Sequence, residues 1–257
     1  GGESLMNNYG KIKTIKCKGT AGDLVTNADI ECEKLIIEFL EKKTPYISII
    51  AEESGDKSKD GKLKWCVDPL DGTTNYAHGY PFFATSIGLI WNSRPILGAI
   101  SVPCLNEIYY AAPGHGSFCN DVRINVTKTN SLSDCLLVTG FAYDRRELLD
   151  NNYSEFCWLT HRTHGVRRGG AAAVDLAFVA SGRVDGYWER GLATWDMAAG
   201  VPIVELAGGI VSNYPHGSFD LESGRILACN PEIKDELSKE LEKIRPLTPD
   251  SYGGKYS

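Results

Sequence analysis

The sequence predicts a chain of mixed class in two parts: an α+β half over residues 1–130 built on an antiparallel sheet, and an α/β half over 131–257. Strand-like runs at 83–91, 95–102, 106–112 and 116–119 follow one another, with turn residues at 92–94 and 113–115, in the manner of a meander. From about residue 131 helical and strand-like patterns alternate. The length, 257 residues, suits one large domain or two small ones sharing an interface.

Each element follows from its local pattern. Thr26-Asn27-Ala28-Asp29 has the form of a capping start, and the helix it opens is predicted to reach about Lys43, with Ile30, Ile37 and Leu40 on one side. Pro45 stops it. Ile47 to Ala51 reads as a strand delivering Glu52 and Glu53 at its end, and 54–62 reads as a polar, glycine-bearing loop. Lys64 to Val67 is a second short strand that ends at Asp68. Beyond the meander, helices are predicted over 146–160 and over 171–181, the latter with Val174, Ala177 and Phe178 apolar. A strand at 184–188 and a helix from about 196 to 207 follow. Asn230-Pro231-Glu232, a cap and then a proline in the first turn, opens a last helix over 231–243.

Composition narrows the function classes. The chain is 42% hydrophobic and 23% charged, with a net charge of −6, which argues against nucleic acid as the main partner. An anionic substrate on such a chain needs a local reversal of the field, and a metal ion would supply it. No run of 18 apolar residues occurs, so no membrane-spanning segment is predicted, nor is a signal peptide seen. The chain begins without an initiator methionine, so a removed targeting segment would leave no trace here. The eight cysteines contain no CxxC pair and read as reduced thiols, which fits the cytoplasm or an organelle stroma. Asn125-Val126-Thr127 and Asn152-Tyr153-Ser154 match the glycosylation pattern but carry little weight without a secretory signal.

The chemistry gathers around residues 65–76, WCVDPLDGTTNY. Glu52 and Glu53 end one strand, Asp68 and Asp71 end another, and Asp196 stands at a helix start. Strand ends in open sheets converge on crevices, so these acids can meet. Packed carboxylates repel unless a cation holds them. Oxygen ligands with no His or Cys among them suit Mg²⁺ or Mn²⁺ rather than zinc. Pro69 stiffens the chain and offers the Leu70 carbonyl as a further oxygen. A helix opening at Gly72-Thr73-Thr74 would add free N–H groups for an anion. Set against this, an aspartate before Gly-Thr often only caps a helix. A DxDGT nucleophile is disfavoured, because here the two acids are three apart rather than two.

With these residues the sequence resembles the inositol monophosphatase family, lithium-sensitive and magnesium-dependent sugar and inositol phosphatases. DPLDGTTNYAHGYPF (68–82) resembles its first signature and TWDMAAGVPIVELAGG (194–209) its second. Ala51-Glu52-Glu53-Ser54 and Asp23-Leu24-Val25-Thr26 with Asp29 supply the other two elements, in family order; part of the usual N-terminal helix is missing. The resemblance implies a layered αβαβα sandwich of the inositol monophosphatase and fructose-1,6-bisphosphatase type, with two to three Mg²⁺ per active site. It implies Glu52, Asp68 and the Leu70 carbonyl around a first ion, Asp68, Asp71 and Asp196 around a second, and a weaker third ion near Glu52. Gly72 and Thr73 would offer N–H groups to the phosphate, and Thr73 with Asp29 would position the attacking water. Glu189 and the backbone near Ala172 would contact substrate hydroxyls, with Asp71 close by, and Lys18 would lie near the metal-site loop.

The implied activity is hydrolysis of a phosphomonoester by metal-activated water, without a phosphoenzyme. Myo-inositol 1-phosphate leads; histidinol phosphate, galactose 1-phosphate, fructose 1,6-bisphosphate and a nucleotide 3′-phosphate are the alternatives. A homodimer is the family's usual state, and neither nucleic acid nor a membrane is an expected partner. Some bacterial relatives engage the transcription machinery, an alternative of another class that the complete acidic set disfavours. His78 gets no part in a chemistry that needs no imidazole, and His115 reads as a hairpin turn. Gly169-Gly170 would allow close approach at a helix start, and Arg162, Arg167 and Arg168 read as a solvated face or subunit contact.

Overall fold

The computed structural model describes residues 1–11, 15–17, 24–57 and 61–247; Lys18 and Asp23 lie outside the described residues. The chain opens with helix α1 (Gly2–Asn8), then a two-stranded ribbon of β1 (Ile15–Cys17) and β2 (Leu24–Thr26), then α2 (Asn27–Lys43). The capping motif is realised: the Thr26 hydroxyl accepts the Ala28 N–H, and Asp29 accepts the Thr26 N–H. Helix α2 buries Ala28, Cys32, Ile36, Ile37 and Leu40, whereas Ile30 is 57% exposed. At about 100° per residue, Ile30 lies roughly 200° from Ala28, so it faces solvent and not the core as expected.

The stretch expected to be all loop carries a strand, since β3 (Ser48–Ala51) pairs antiparallel with β4 (Gly55–Lys57). Next, β5 (Leu63–Asp71) runs parallel to β3 and leads into α3 (Thr73–Ala77). The expected meander follows as β6 (Ala84–Trp91), β7 (Arg94–Val102), β8 (Glu107–Ala112) and β9 (Gly116–Cys119), with β10 (Val122–Arg123) added at the edge. The sheet has eight strands in the order β10-β9-β8-β7-β6-β5-β3-β4.

The second half contributes β11 (Leu136–Thr139), α4 (Tyr153–Arg162), β12 (Gly165–Arg168), α5 (Ala172–Ala180), β13 (Gly186–Arg190), α6 (Thr194–Ala198), α7 (Gly200–Leu206), β14 (Ile210–Ser212), β15 (Arg225–Cys229) and α8 (Lys234–Glu242). Its five strands form a mixed sheet of order β12-β11-β13-β15-β14. Helix α4 starts later than the expected residue 146, because Asn152 takes a left-handed conformation at φ 68° that no helix continues through. The helix expected over 196–207 is two helices. Pro202 has no N–H to give the Ala198 carbonyl, so the i to i−4 ladder breaks there.

Alternation along the strands sorts side chains into separate cores. Val67 packs with Leu5, Ile36 and Leu40, whereas its neighbour Cys66 joins the core between the sheets. Ile226 and Ala228 join that same central core, while Leu227 and Cys229 face Leu159 and Leu237 on the far side. The layers are therefore α1 and α2, the eight-stranded sheet, α5 to α7, the five-stranded sheet, then α4 and α8: the αβαβα sandwich. The central helices lie directly on the large sheet. A Cβ placed on Gly98 would come 2.0 Å from the Ala199 carbonyl oxygen. Gly98→Ala is expected to cost about 3 kcal/mol and to lower the thermal midpoint by roughly 10 °C. A melting curve overlapping that of the parent would contradict this packing.

Candidate active site

The site is built where β5 leaves its ladder. In a regular strand, residues three apart point to opposite faces. The pairing of β5 with β6 shifts register between Asp68 and Asp71, however, and both acids line one cleft. The cause is local: Pro69 has no N–H to donate, and the Leu70 N–H turns back to Asp68 Oδ1 at 3.0 Å. The carbonyls of this interruption take side-chain partners instead. Pro69 accepts from the Thr85 hydroxyl at 3.0 Å, and the Leu70 carbonyl oxygen lies 3.0 Å from Thr73 Oγ1. Gly72 then turns the chain at φ 89°, where a side chain would be strained, into the short helix α3, whose first N–H groups have no acceptor within the helix.

Asp29 joins two parts of the site. One of its oxygens accepts from the Thr26 N–H at 2.9 Å and hydroxyl at 2.5 Å, and the other accepts from the Thr73 hydroxyl at 3.0 Å. Glu52 enters the cleft just past β3, and the next residue is pinned by its N–H donating to the buried Glu33 at 2.8 Å. Asp196 arrives on α6, where it accepts the Ala193 N–H at 2.7 Å. From the start of α5, the Ala172 and Ala173 N–H groups donate to the two oxygens of Asp71 at 3.2 and 2.7 Å, so the Ala172 N–H is engaged by Asp71. Asn75 ties distant stretches together as well: its Nδ2 donates to the Phe82 carbonyl at 2.7 Å and lies 3.0 and 3.3 Å from those of Gly169 and Gly170.

The cleft encloses about 360 Å³ and gathers Glu52, Asp68, Asp71, Thr73, Glu189 and Asp196 on its walls. Asp68, Asp71 and Asp196 each place a carboxylate oxygen within 4.8 Å of the others. Burial drives the Asp68 carboxyl well above the usual range, and the charges of Glu52, Asp71 and Asp196 add to it. Asp71 is pushed up to about 7, chiefly by burial, against the opposing pull of the Ala173 N–H. Glu189 is likewise raised to about 7 by burial, opposed by the Tyr187 hydroxyl. Burial also raises Asp29, against its hydrogen bonds from Thr26 and Thr73. Buried acids so close together, with hard oxygen donors only, fit Mg²⁺, whose charge would reverse the pressure to protonate.

Several functional neighbours escaped the sequence reading. Gly140, Tyr143 and Arg145 form a wall of the cleft after β11, a strand too short and too weakly punctuated to stand out. Arg168 lines the same cleft and is not merely part of a solvated face. Neither His78 nor His115 is among the lining residues. Asn152 is buried and donates to the Thr139 hydroxyl and the Gly140 carbonyl, so its glycosylation motif is a structural asparagine.

An αβαβα sandwich with clustered acids at the end of a broken strand, beside the opening turn of a short helix, defines a metal-assisted hydrolase of phosphate monoesters. Residues 1–245 match the model of the inositol monophosphatase family. The chain is 52% identical to the inositol-1-monophosphatase of Synechocystis sp. over 93% of this chain and 84% of that protein. It is 40% identical to the Nus factor SuhB of Pasteurella multocida, over 91% and 86% of the two chains. Among solved structures, the inositol monophosphatase of Anabaena (Nostoc) sp. superposes with a TM-score of 0.87 at 48% identity, covering 96% of this chain and 92% of that one. The chain belongs to the inositol monophosphatase family, and it is a phosphoric monoester hydrolase of that magnesium-dependent group.

Proposed function

We propose that the enzyme hydrolyses myo-inositol 1-phosphate to inositol and phosphate. The observation that carries this reading is the convergence of Asp68, Asp71 and Asp196 in one cleft whose other wall bears Glu189. Glu52, Asp68 and the Leu70 carbonyl would hold one Mg²⁺, Asp68, Asp71 and Asp196 a second, with a weaker third near Glu52. When bound, the ions would neutralise the acids and the phosphate and acidify a water.

The chain's own groups do the rest. The single proton of Thr73 Oγ1 is shared between Asp29 Oδ1 and the Leu70 carbonyl, which leaves its lone pairs to accept a hydrogen from water. Asp29 fixes that hydroxyl rotor and so orients the water for in-line attack. The Gly72 and Thr73 N–H groups hold the phosphate, and Glu189 accepts hydroxyls of the leaving polyol. Ala172 contributes by fixing Asp71 through its N–H.

Side-by-side kinetics test the substrate. Myo-inositol 1-phosphate is expected to exceed histidinol phosphate, galactose 1-phosphate and fructose 1,6-bisphosphate by about tenfold or more in kcat/KM, with Mg²⁺ required and Li⁺ inhibiting. A tenfold preference for histidinol phosphate would overturn the choice. The acids come from residues before 130 except for Asp196 and Glu189, so two halves meeting near that seam go with this reading, as does a homodimer. A cytoplasmic or stromal setting suits the eight free cysteines, and no described helix is long and apolar enough to cross a membrane. The likeness to a Nus factor favours one second reading, a role with the transcription machinery. If an Asp68→Asn variant rescued a deletion strain, that reading would displace the enzymatic one.

A further inference from the structure

We propose that Tyr187 is a positioning residue for Glu189: its buried hydroxyl, with Gly140 opposite, fixes the carboxylate so that one oxygen is left for a substrate hydroxyl. The inference deepens the reading of Glu189 as the acid that meets the polyol, and it rests on that reading.

On β13, Tyr187 and Glu189 stand two apart and point to one face, while Trp188 between them points to the other core. Tyr187 has no exposed surface, and its hydroxyl donates to Glu189 Oε2 at 2.6 Å. A charge-assisted hydrogen bond kept from water is strong and directional. Gly140 closes the other side. A Cβ there would come 2.1 Å from Oε2 and 2.2 Å from Oε1, so the carboxylate lies against the bare backbone of the loop after β11. A donor on one oxygen and a wall against both leave little rotational freedom to a side chain that otherwise has three torsions. Ordering a free glutamate would be charged against substrate binding; here it is done in folding. Burial keeps the Tyr187 phenol protonated and therefore a donor, and the charge of Glu189 adds to it.

The consequence is selectivity for leaving groups that carry a hydroxyl. The test compares myo-inositol 1-phosphate with p-nitrophenyl phosphate, whose leaving group offers no hydroxyl to Glu189. In Tyr187→Phe the ratio of kcat/KM for polyol over aryl phosphate should fall about tenfold, mainly through KM for the polyol. Glu189→Gln should lower the same ratio at least as far. The double variant should fall no further than Glu189→Gln alone, because Tyr187 acts through Glu189. Gly140→Ala, which displaces the carboxylate from the other side, should repeat the fall and the coupling, and it serves if Tyr187→Phe does not fold. A fall of less than about threefold, or additive effects in the cycle, overturns the proposal while Glu189→Gln still acts. If Glu189→Gln itself leaves the ratio in place, the hydroxyl-binding reading of Glu189 fails, and the positioning role falls with it.

Discussion

Replacing Asp68 with asparagine is expected to lower Mg²⁺-dependent turnover by at least ~10³-fold while leaving the chain folded. Asp68 is 1% exposed and lies among Glu52, Asp71 and Asp196, acids that a cation would bridge. Asparagine has nearly the same shape, and its amide oxygen can still accept the Leu70 N–H that Oδ1 accepts now. What it lacks is the charge. Losing several kcal/mol of transition-state stabilisation corresponds to three or more decades at about 1.4 kcal/mol each. Without ions the variant should melt no lower than the parent, since one of the mutually repelling carboxylates is gone. Steady-state rates at saturating Mg²⁺ and a thermal melt decide the matter together. Near-parental activity would reject the metal-binding role.

The second large effect concerns stability in the absence of ions. Asp71 and Glu189 sit near 7 in the folded chain, against ordinary values of 3.8 and 4.5, and Asp68 and Asp175 are raised as well. Between about pH 4 and 7 the folded state therefore holds more protons than the unfolded state. Their contribution to stability is complete below about pH 4 and is lost as pH rises through 7. Glu240, held low by its hydrogen bond from Lys243, acts in the opposite sense, but only as pH falls below its ordinary 4.5. The ion-free protein should thus lose several kcal/mol from pH 5.5 to 8.5, a fall in thermal midpoint on the order of 10 °C. Saturating Mg²⁺ should restore most of it at the upper pH, because the ions bind only the folded chain. A midpoint that is flat or rises with pH, with no response to Mg²⁺, would contradict the charge assignment.

Much of the architecture could be read from pattern alone. The meander from Ala84 onward, the Thr26 cap and the turn at Gly114 each rest on neighbours in sequence, and each was legible. So were the acidic stretches, because four motifs stood in order along the chain. Features made by distant contacts were not. The break in β5 that aims Asp68 and Asp71 together follows from Pro69, but the Ala172 and Ala173 N–H groups that hold Asp71 lie about a hundred positions away. Asn75 reads as one polar residue in a signature helix, and only the fold shows it gripping the Gly169-Gly170 turn. Nothing in the sequence singles out Gly140; only the fold shows Glu189 in the space its Cβ would take. The late start of α4 depended on Asn152 being buried and bonded to Trp188, which no helical periodicity could reveal.

A crystal grown with Mn²⁺ in place of Mg²⁺, with anomalous scattering used to locate the ions, tests the whole account most directly. Two strong peaks should appear in the cleft, one shared by Glu52, Asp68 and the Leu70 carbonyl and one by Asp68, Asp71 and Asp196. No peak within bonding reach of Asp68, or manganese bound only elsewhere on the surface, would mean that these acids do not form the catalytic centre.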